Sequence, residues 1–274
     1  MTSLVVTGSL GGIGRAVCAL LVDEGWNVIG LDIEAVVEDC SWDQRVCDLA
    51  SPASLAEAVQ KLPSDVGAIV HLAAVQPLLR AQEIGPDEWQ RAWSVNVAAL
   101  QYLVASNFDG LVSNAPSRVI AVGSVHASQT SSGMAPYSVT KAALAAYVRA
   151  LSIDGAQCGL TAIGVELGAT RSPKLDQGLA RSESPETALA KLEGALPTRR
   201  LIEPVEVAEL VDWLLSSSAR HMTGSSVPFG GGVEVLLATE VGLGANEREV
   251  QTLELDSSTE IVGSAHTAIK GDLP

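Results

Sequence analysis

The sequence predicts an α/β fold: a doubly wound parallel sheet of about seven strands in a single domain. Short apolar runs typical of buried strands alternate along the chain with longer segments of helical periodicity. A glycine-rich turn leads from the first of these strands directly into a helix. Hydrophobic residues make up 47% of the 274 positions, which is enough to form the core of one such domain.

Composition excludes several classes of function. Net charge is −15, from 17 lysines and arginines against 32 acidic residues, so we expect no nucleic-acid or membrane partner. No apolar run approaches the ~18 residues of a membrane span. The chain opens M-T-S-L-V-V-T-G without a cationic leader, and its four cysteines form no C-x-x-C pair. These observations predict a cytoplasmic protein with reduced cysteines and no metal site.

The first βαβ unit is predicted in detail. A strand over Leu4–Thr7 runs into T-G-S-L-G-G-I-G, a helix follows from about Ile13 to Glu24, and a second strand covers Asn27–Asp32. Glycines allow the backbone to turn tightly and to approach a pyrophosphate at the helix N-terminus. The unit therefore predicts a dinucleotide site.

Asp32 indicates which dinucleotide binds. It ends the second strand, 18 residues beyond Gly14, where a carboxylate can accept the ribose hydroxyls and would repel a 2′-phosphate. Positions 10 and 33, where a basic residue could bind a 2′-phosphate, are Leu10 and Ile33. We interpret Arg15 as a solvated helix residue. We therefore expect NAD rather than NADP.

The β/α alternation continues to about residue 232. Further strands are predicted at Arg45–Cys47, Ala68–Leu72, Arg118–Gly123, Thr161–Leu167 and Ser226–Phe229, and helices at Ala53–Lys61, from Pro86, at Ala135–Gln157 and at Val205–Ser216. Ligands of such sheets bind at the carboxyl ends of the strands, where the glycine loop, Asp32, Ser124 and Gly168 all fall. Residues from about 173 to 200 are polar and form either a flap over this site or a surface helix-loop.

Three residues in and before the helix from Ala135 suggest proton-transfer chemistry. Tyr137 and Lys141 are four apart, so both side chains can face one site, and Ser124 follows an apolar strand. A nearby ammonium favours the phenolate, so we expect Lys141 to lower the pKa of Tyr137 and to make it a general acid/base. The alternative for the Tyr-Lys pair alone is a solvated helix face.

Two further polar residues have alternative roles. Asn96 lies among apolar residues, so its amide serves either catalysis or a structural hydrogen bond. Asp48, with Leu49, can flank an adenine ring or cap the helix that follows, and the two roles are compatible.

With these motifs together, residues 3 to 232 resemble the short-chain dehydrogenase/reductase family, short single-domain branch, which has a Rossmann-type fold. The motif T-G-x-x-x-G-x-G is matched by Thr7, Gly8, Gly12 and Gly14. Asn96, Ser124, Tyr137 and Lys141 stand where the family keeps its catalytic tetrad.

The resemblance implies a role for each residue. Tyr137 would exchange the proton, Ser124 would hold the substrate oxygen, Lys141 would bind the nicotinamide ribose, and Asn96 would anchor a proton relay. The implied NAD site comprises Gly8, Leu10, Gly12, Ile13, Gly14, Asp32, Asp48, Leu49, Ala73, Tyr137, Lys141, Gly168 and Ser172. Family members usually form homodimers or homotetramers.

The chain also departs from the family pattern. N-A-G after the fourth strand is replaced by Leu72-Ala73-Ala74, and the aspartate before the terminal glycines is Gly230. The loop also fits T-G-x-x-G-x-x-G, which is similar to nucleotide-sugar epimerases and dehydratases, but the chain has little room for their substrate domain. A non-catalytic NAD sensor is the alternative from another class.

The substrate class follows only from the resemblance. The segment G-A-T-R-S-P-K-L-D-Q-G-L is similar to hydroxysteroid and aryl-alcohol members, which favours a bulky secondary alcohol or ketone. His126 and Met134, with Leu175 and Leu179 of the flap, are candidate pocket residues. Residues 233–274 carry eight acids against Arg248 and Lys270, which predicts an acidic extension, either flexible or packed on a neighbouring subunit.

Overall fold

The computed structural model describes residues 2–35 and 40–236. Within them lies one parallel sheet of seven strands in the order β3-β2-β1-β4-β5-β6-β7. The strands are β1 Ser3–Thr7, β2 Asn27–Asp32, β3 Asp43–Val46, β4 Val66–His71, β5 Ser117–Val122, β6 Leu160–Leu167 and β7 Ser226–Phe229. The predicted doubly wound α/β fold is confirmed.

Helices cover both faces of the sheet. They are α1 Gly12–Asp23, α2 Pro52–Gln60, α3 Pro86–Trp93, α4 Ala99–Ser106, α5 Phe108–Ser113, α6 Ala135–Asp154, α7 Pro173–Leu179, α8 Pro185–Ala195 and α9 Pro204–Leu215. Helices α1 and α9 bury one face, around Leu4, Val17 and Val211. The other face packs against α2, α4, α5 and α6, around Val5, Leu100 and Leu144.

Local sequence explains where several helices begin. Proline occupies the first turn of α2, α3, α6, α7, α8 and α9, where its missing N–H has no intrahelical partner to lose. Ser51 caps α2 by accepting a hydrogen bond from the Ser54 amide. Glu203 and Glu206 form a reciprocal capping box at the start of α9.

The strand order reverses between β1 and its neighbour β4, which places the loops after these strands at the switch point of the sheet. Thr7 pairs with His71 at the carboxyl ends of the two strands. The glycine loop after β1 and the loop after β4 therefore meet at one edge. The polar segment predicted as a flap contains α7 and α8. The acidic extension lies outside the described residues from position 237 onward.

Candidate active site

The glycine loop after β1 is shaped by close backbone contacts. Gly8 has φ +71°, and a Cβ there would approach the Ala73 amide nitrogen to 2.8 Å. A Cβ on Gly14 would overlap the Gly8 carbonyl oxygen. Thr7 Oγ1 accepts a hydrogen bond of 3.2 Å from Ala73 N, which ties this loop to the loop after β4. The loop thus exposes backbone at the N-terminus of α1, as a pyrophosphate requires.

Asp32 lies against the glycine loop. Its Oδ2 accepts from Leu10 N at 2.9 Å, and its Oδ1 accepts from Glu34 N at 3.2 Å. Arg15, interpreted from sequence as a solvated helix residue, instead donates from Nε to the Leu10 carbonyl at 3.1 Å. That interpretation was incomplete, because the arginine turns back along α1 to reach the loop.

Asp48 and Leu49 follow β3. Asp48 Oδ1 accepts from Ala50 N at 2.9 Å and so forms a turn, while the cap of α2 is Ser51. The helix-cap alternative for Asp48 was therefore wrong. Leu49 is buried in the core beneath the turn.

Ser124, Tyr137 and Lys141 converge at the carboxyl end of β5. Ser124 follows that strand directly, and Tyr137 and Lys141 lie one turn apart on α6. The Lys141 ammonium lies 5.6 Å from the centroid of the Tyr137 ring, and the Ser124 hydroxyl interacts with the phenol. The interpretation of the Tyr-Lys pair as a solvated helix face was wrong, since Lys141 is 2% exposed.

The expected lowering of the Tyr137 pKa is not found. Burial raises the pKa of Tyr137 above its usual value of 10.0, and the Ser124 hydroxyl opposes this only in part. Lys141 Nζ donates at 2.7 Å to the Val122 carbonyl instead of to the phenol. Burial, aided by repulsion from Lys174, also lowers the pKa of Lys141 to about 7. Lys141 therefore does not lower the pKa of Tyr137 in this arrangement.

Asn96 is fully engaged in structural hydrogen bonds. It lies in a π-helical stretch, Ser94–Ala98, and has no exposed surface. Its Oδ1 accepts from Val75 N at 2.8 Å, and its Nδ2 donates to Val75 O at 3.0 Å and to Thr140 Oγ1 at 2.9 Å. The amide thus joins the loop after β4 to α6, which favours the structural alternative for this side chain. Single-turn π-helices occur frequently at functional sites.

His71, at the end of β4, was missed by the sequence interpretation. It is completely buried and shares a 2.8 Å hydrogen bond with Thr7 Oγ1. Its pKa is lowered to about 3 by burial and by Lys141, so the ring is neutral. The backbones of Asn96 and Val95 lie near the ring and oppose this lowering of the pKa, and Nε2 has no hydrogen-bond partner among the described residues. A titratable residue inside an apolar strand was the available signal.

Residues 168–173, which follow β6, form the wall of the candidate site opposite the loop after β4. A Cβ on Gly168 would approach Gly230 Cα to 2.6 Å, so the ends of β6 and β7 are in close contact. Ser172 caps α7 by accepting from Leu175 N at 3.2 Å. Pro173 covers Gly12, with its Cδ 3.2 Å from where a Cβ there would lie. The start of the flap therefore lies on the glycine loop.

The Glu234 side chain fills the space beside Gly230, where a side chain at position 230 would lie. Its carboxylate lies next to Gly230 and Val125, and Gln129 Nε2 donates to its backbone oxygen at 2.6 Å. Its Oε2 is buried and has no hydrogen-bond partner among residues 2–35 and 40–236. Sequence gave no signal for this residue, since it lies in the segment interpreted as an acidic extension.

Of the remaining residues predicted to line a substrate pocket, His126 and Met134 precede α6, and Leu175 and Leu179 lie in α7. The His126 ring meets Tyr137 edge-on at a centroid distance of 5.9 Å, and Met134 is buried beside Gln76. Leu175 and Leu179 are half-buried in α7. In the described part of the chain no group of three or more metal-ligating residues occurs, and no helix there is long and apolar enough to cross a membrane.

The chain is similar to known proteins over most of its length. A family model described as enoyl-(acyl carrier protein) reductase matches residues 8–234. Oxidoreductase UcpA of Escherichia coli K12 is 28% identical over 255 residues, covering 87% of this chain and 97% of the relative. Acetoacetyl-CoA reductase of Acinetobacter sp. is 24% identical over 244 residues, covering 84% and 96%.

Solved structures share the fold. Ligand-free aldohexose dehydrogenase of Thermoplasma acidophilum superposes with a TM-score of 0.81 at 23% identity, covering 86% of this chain and 96% of that one. A 4-hydroxyisoleucine dehydrogenase complexed with NADH gives a TM-score of 0.76 at 17% identity, covering 86% and 100%. Because the family model spans most of the chain and the two relatives named above are an oxidoreductase and a reductase, the chain belongs to the short-chain dehydrogenase/reductase family and is an oxidoreductase.

Proposed function

We propose that this protein is an NAD-dependent oxidoreductase that transfers hydride between a secondary alcohol or ketone and nicotinamide. The observation that supports this best is the convergence of Ser124, Tyr137 and Lys141 at the edge of the sheet that also carries the glycine loop. A phenol, a hydroxyl and an amine are the groups needed to bind a carbonyl oxygen and to exchange its proton.

The chain's own residues fit a dinucleotide. Glycines 8 and 14 leave a backbone cradle that any side chain would fill, and Asp32 lies against it. The cofactor would supply the hydride, and the protein supplies position and electrostatics. In this proposal Ala73, Gly168 and Ser172 would hold the nicotinamide end of the cofactor, and Asp48 and Leu49 would hold the adenine end.

The proton steps are assigned to three side chains. Tyr137 gives its phenolic proton to the carbonyl oxygen during reduction and takes it back during oxidation. Ser124 donates a hydrogen bond to the same oxygen. Lys141 would hold a ribose hydroxyl of the bound cofactor, and an ammonium there would stabilise the phenolate and counter the burial that raises the Tyr137 pKa. Asn96 fixes the relative positions of α6 and the loop after β4.

Asp32 supports NAD over NADP, because its carboxylate lies where a 2′-phosphate would be repelled. The 4-hydroxyisoleucine dehydrogenase complexed with NADH, which has a similar fold, is consistent with this choice. Acetoacetyl-CoA reductases among the relatives are consistent with a ketone as the oxidised substrate. A bulky steroid-like or aryl-like substrate, a cytoplasmic location and a homo-oligomer remain predictions from sequence. We infer that residues 1–232 form the catalytic domain and 233–274 an extension, since the family match ends at 234.

The experiment is a panel of secondary alcohols and ketones (steroid, aryl and small aliphatic) assayed with NAD(H) and with NADP(H) in parallel. We expect turnover with NAD(H) on part of the panel. Bound NAD without turnover of any member would contradict the proposal and favour the epimerase or sensor alternatives.

A further inference from the structure

A second feature of this region is an open cleft beside the N-terminus of α6. It has a volume of about 440 Å³ and lies between the loop after β4 and the loop that precedes α6. Its lining comprises Arg80, Ala81, Gln82, Thr130, Ser131 and Ser132, with residues 133–135. The two loops are joined by a hydrogen bond of 3.1 Å from Leu79 N to Gly133 O. The cleft is thus held between two connected segments.

The lining has an unusual charge for this chain. The protein carries 32 acidic residues against 17 lysines and arginines, yet the cleft has an arginine and no carboxylate. Within the described residues the Arg80 guanidinium pairs with no acid. The nearby Glu83 carboxylate binds the Arg80 backbone amide at 3.2 Å instead. Hydroxyls and an amide supply the remaining hydrogen-bonding groups, which suits an anion.

The cleft is also connected to the proposed catalytic tyrosine. Thr130 lines the cleft, and its Oγ1 lies 3.4 Å from His126 Nδ1. The His126 ring packs edge-on against the Tyr137 ring. Ala135, at the other side, is two residues before Tyr137 on α6. The His126 side chain therefore contacts both Thr130 of the cleft and the ring of Tyr137.

We propose that this cleft binds an anionic group of the substrate, a carboxylate or a phosphate, through the Arg80 guanidinium and the hydroxyls of Thr130, Ser131 and Ser132. The substrate is then a ketone or alcohol whose anionic end lies away from the reacting carbon. This rests on the proposed function, because it takes Tyr137 as the position of the carbonyl. The cofactor's own phosphates belong to the glycine loop after β1, so the two anion sites are distinct.

The first test compares charged and neutral ketones in NADH-dependent reduction. The pairs are acetoacetate and levulinate with their methyl esters, and dihydroxyacetone phosphate with dihydroxyacetone. For one charged series we expect kcat/KM to be about tenfold or more higher than for the neutral counterparts. The difference should arise from a lower KM. The carboxylate and phosphate arms then show which anion the cleft prefers. The preference is expected to fall as salt is raised.

Arg80→Ala is expected to remove the preference and leave the neutral ketones unchanged, and Arg80→Lys to restore only part of it, because lysine lacks the planar fork. Arg149→Ala is the matched control. It removes the same charge from an exposed position about 21 Å along α6 from its first residue, and it should change nothing. Neutral and charged ketones reduced equally well, before and after Arg80→Ala, would overturn the inference but leave the proposed function intact.

A binding measurement separates the two failures. Inorganic phosphate and acetate are titrated calorimetrically into NAD-saturated wild type and Arg80→Ala. Binding of either anion that weakens about tenfold in the variant supports the cleft even if no ketone is turned over, which would refute only the proposed function. Equal binding in both proteins, or none in wild type, would overturn the inference.

Discussion

Lys141 Nζ donates a 2.7 Å hydrogen bond to the carbonyl oxygen of Val122, across from the Tyr137 phenol. Val122 ends β5 and Lys141 is the seventh residue of α6, so this contact joins the strand that leads to Ser124 to the helix that carries Tyr137. The bond gives a buried amine a partner, yet its surroundings still lower the pKa of Lys141 to about 7. Stability should therefore depend on pH through this lysine.

The lysine predicts a definite sign for that dependence. Its folded-state pKa of about 7 lies below its ordinary 10.5, so between these values the unfolded chain binds more protons. The free energy of unfolding of wild type should thus rise with pH across this window, relative to Lys141→Met, by at most about 1.4 kcal/mol per pH unit. Urea unfolding of both proteins from pH 7 to 10 measures it. A difference that does not change with pH would show that the lysine is not neutralised on folding.

Replacement of Asp32 should alter cofactor choice. Asp32→Ala removes the carboxylate that lies against Leu10, and it leaves Arg15 as the charged side chain at the loop. We expect the ratio of kcat/KM for NAD to that for NADP to fall about tenfold or more. Glu34→Ala is the control. It removes an adjacent carboxylate, and it keeps the Glu34 backbone amide that donates to Asp32. An unchanged ratio in Asp32→Ala would refute the role assigned to Asp32.

Loss of the Asn96 amide should be costly to stability. Asn96→Ala leaves the Val75 amide and carbonyl and the Thr140 hydroxyl without this partner in a buried region, which costs about 2–4 kcal/mol of unfolding free energy. Asn107→Ala loses a single bond to Leu103 O and should cost about 1 kcal/mol. Denaturant titration compares the two. Equal losses would mean that the Asn96 network carries no special weight.

Replacement by alanine should have opposite effects at Gly14, in the glycine loop, and at Gly194, in α8. A Cβ on Gly14 would overlap the Gly8 carbonyl, so Gly14→Ala should distort the loop and abolish NAD binding. Gly194, in α8, has nothing described within 4 Å of its Cβ position, so Gly194→Ala should be neutral or stabilise by about 0.5–1 kcal/mol. Calorimetric NAD titration and thermal unfolding report on both. NAD affinity preserved in Gly14→Ala would remove the argument for the cradle.

Local pattern was enough to locate most elements. The strands Asn27–Asp32 and Ser226–Phe229 have the predicted bounds, because flanking turn residues fix their ends. The approach of Ser124 to Tyr137 followed from strand-end topology. Contacts between distant segments were not predictable. Nothing local shows that His71 binds Thr7, or that Asn96 lies in a π-helical turn.

The pKa of Tyr137 illustrates the same limit. Four-residue spacing correctly placed the amine near the phenol, but the sign of the shift depends on burial and on whether Lys141 bonds elsewhere. Both are tertiary properties. The charge of the Arg80 cleft likewise arises only when the loops after β4 and before α6 meet.

The most direct test of the account is Tyr137→Phe, assayed for NADH formation from the best alcohol of the panel, with NAD affinity measured in the same preparation. Phenylalanine keeps the ring that packs against His126 and removes only the hydroxyl. We expect NAD affinity within a factor of about two and a loss of kcat of at least about 100-fold, the size of a general acid/base contribution. Retained turnover would contradict the central claim that Tyr137 exchanges the substrate proton.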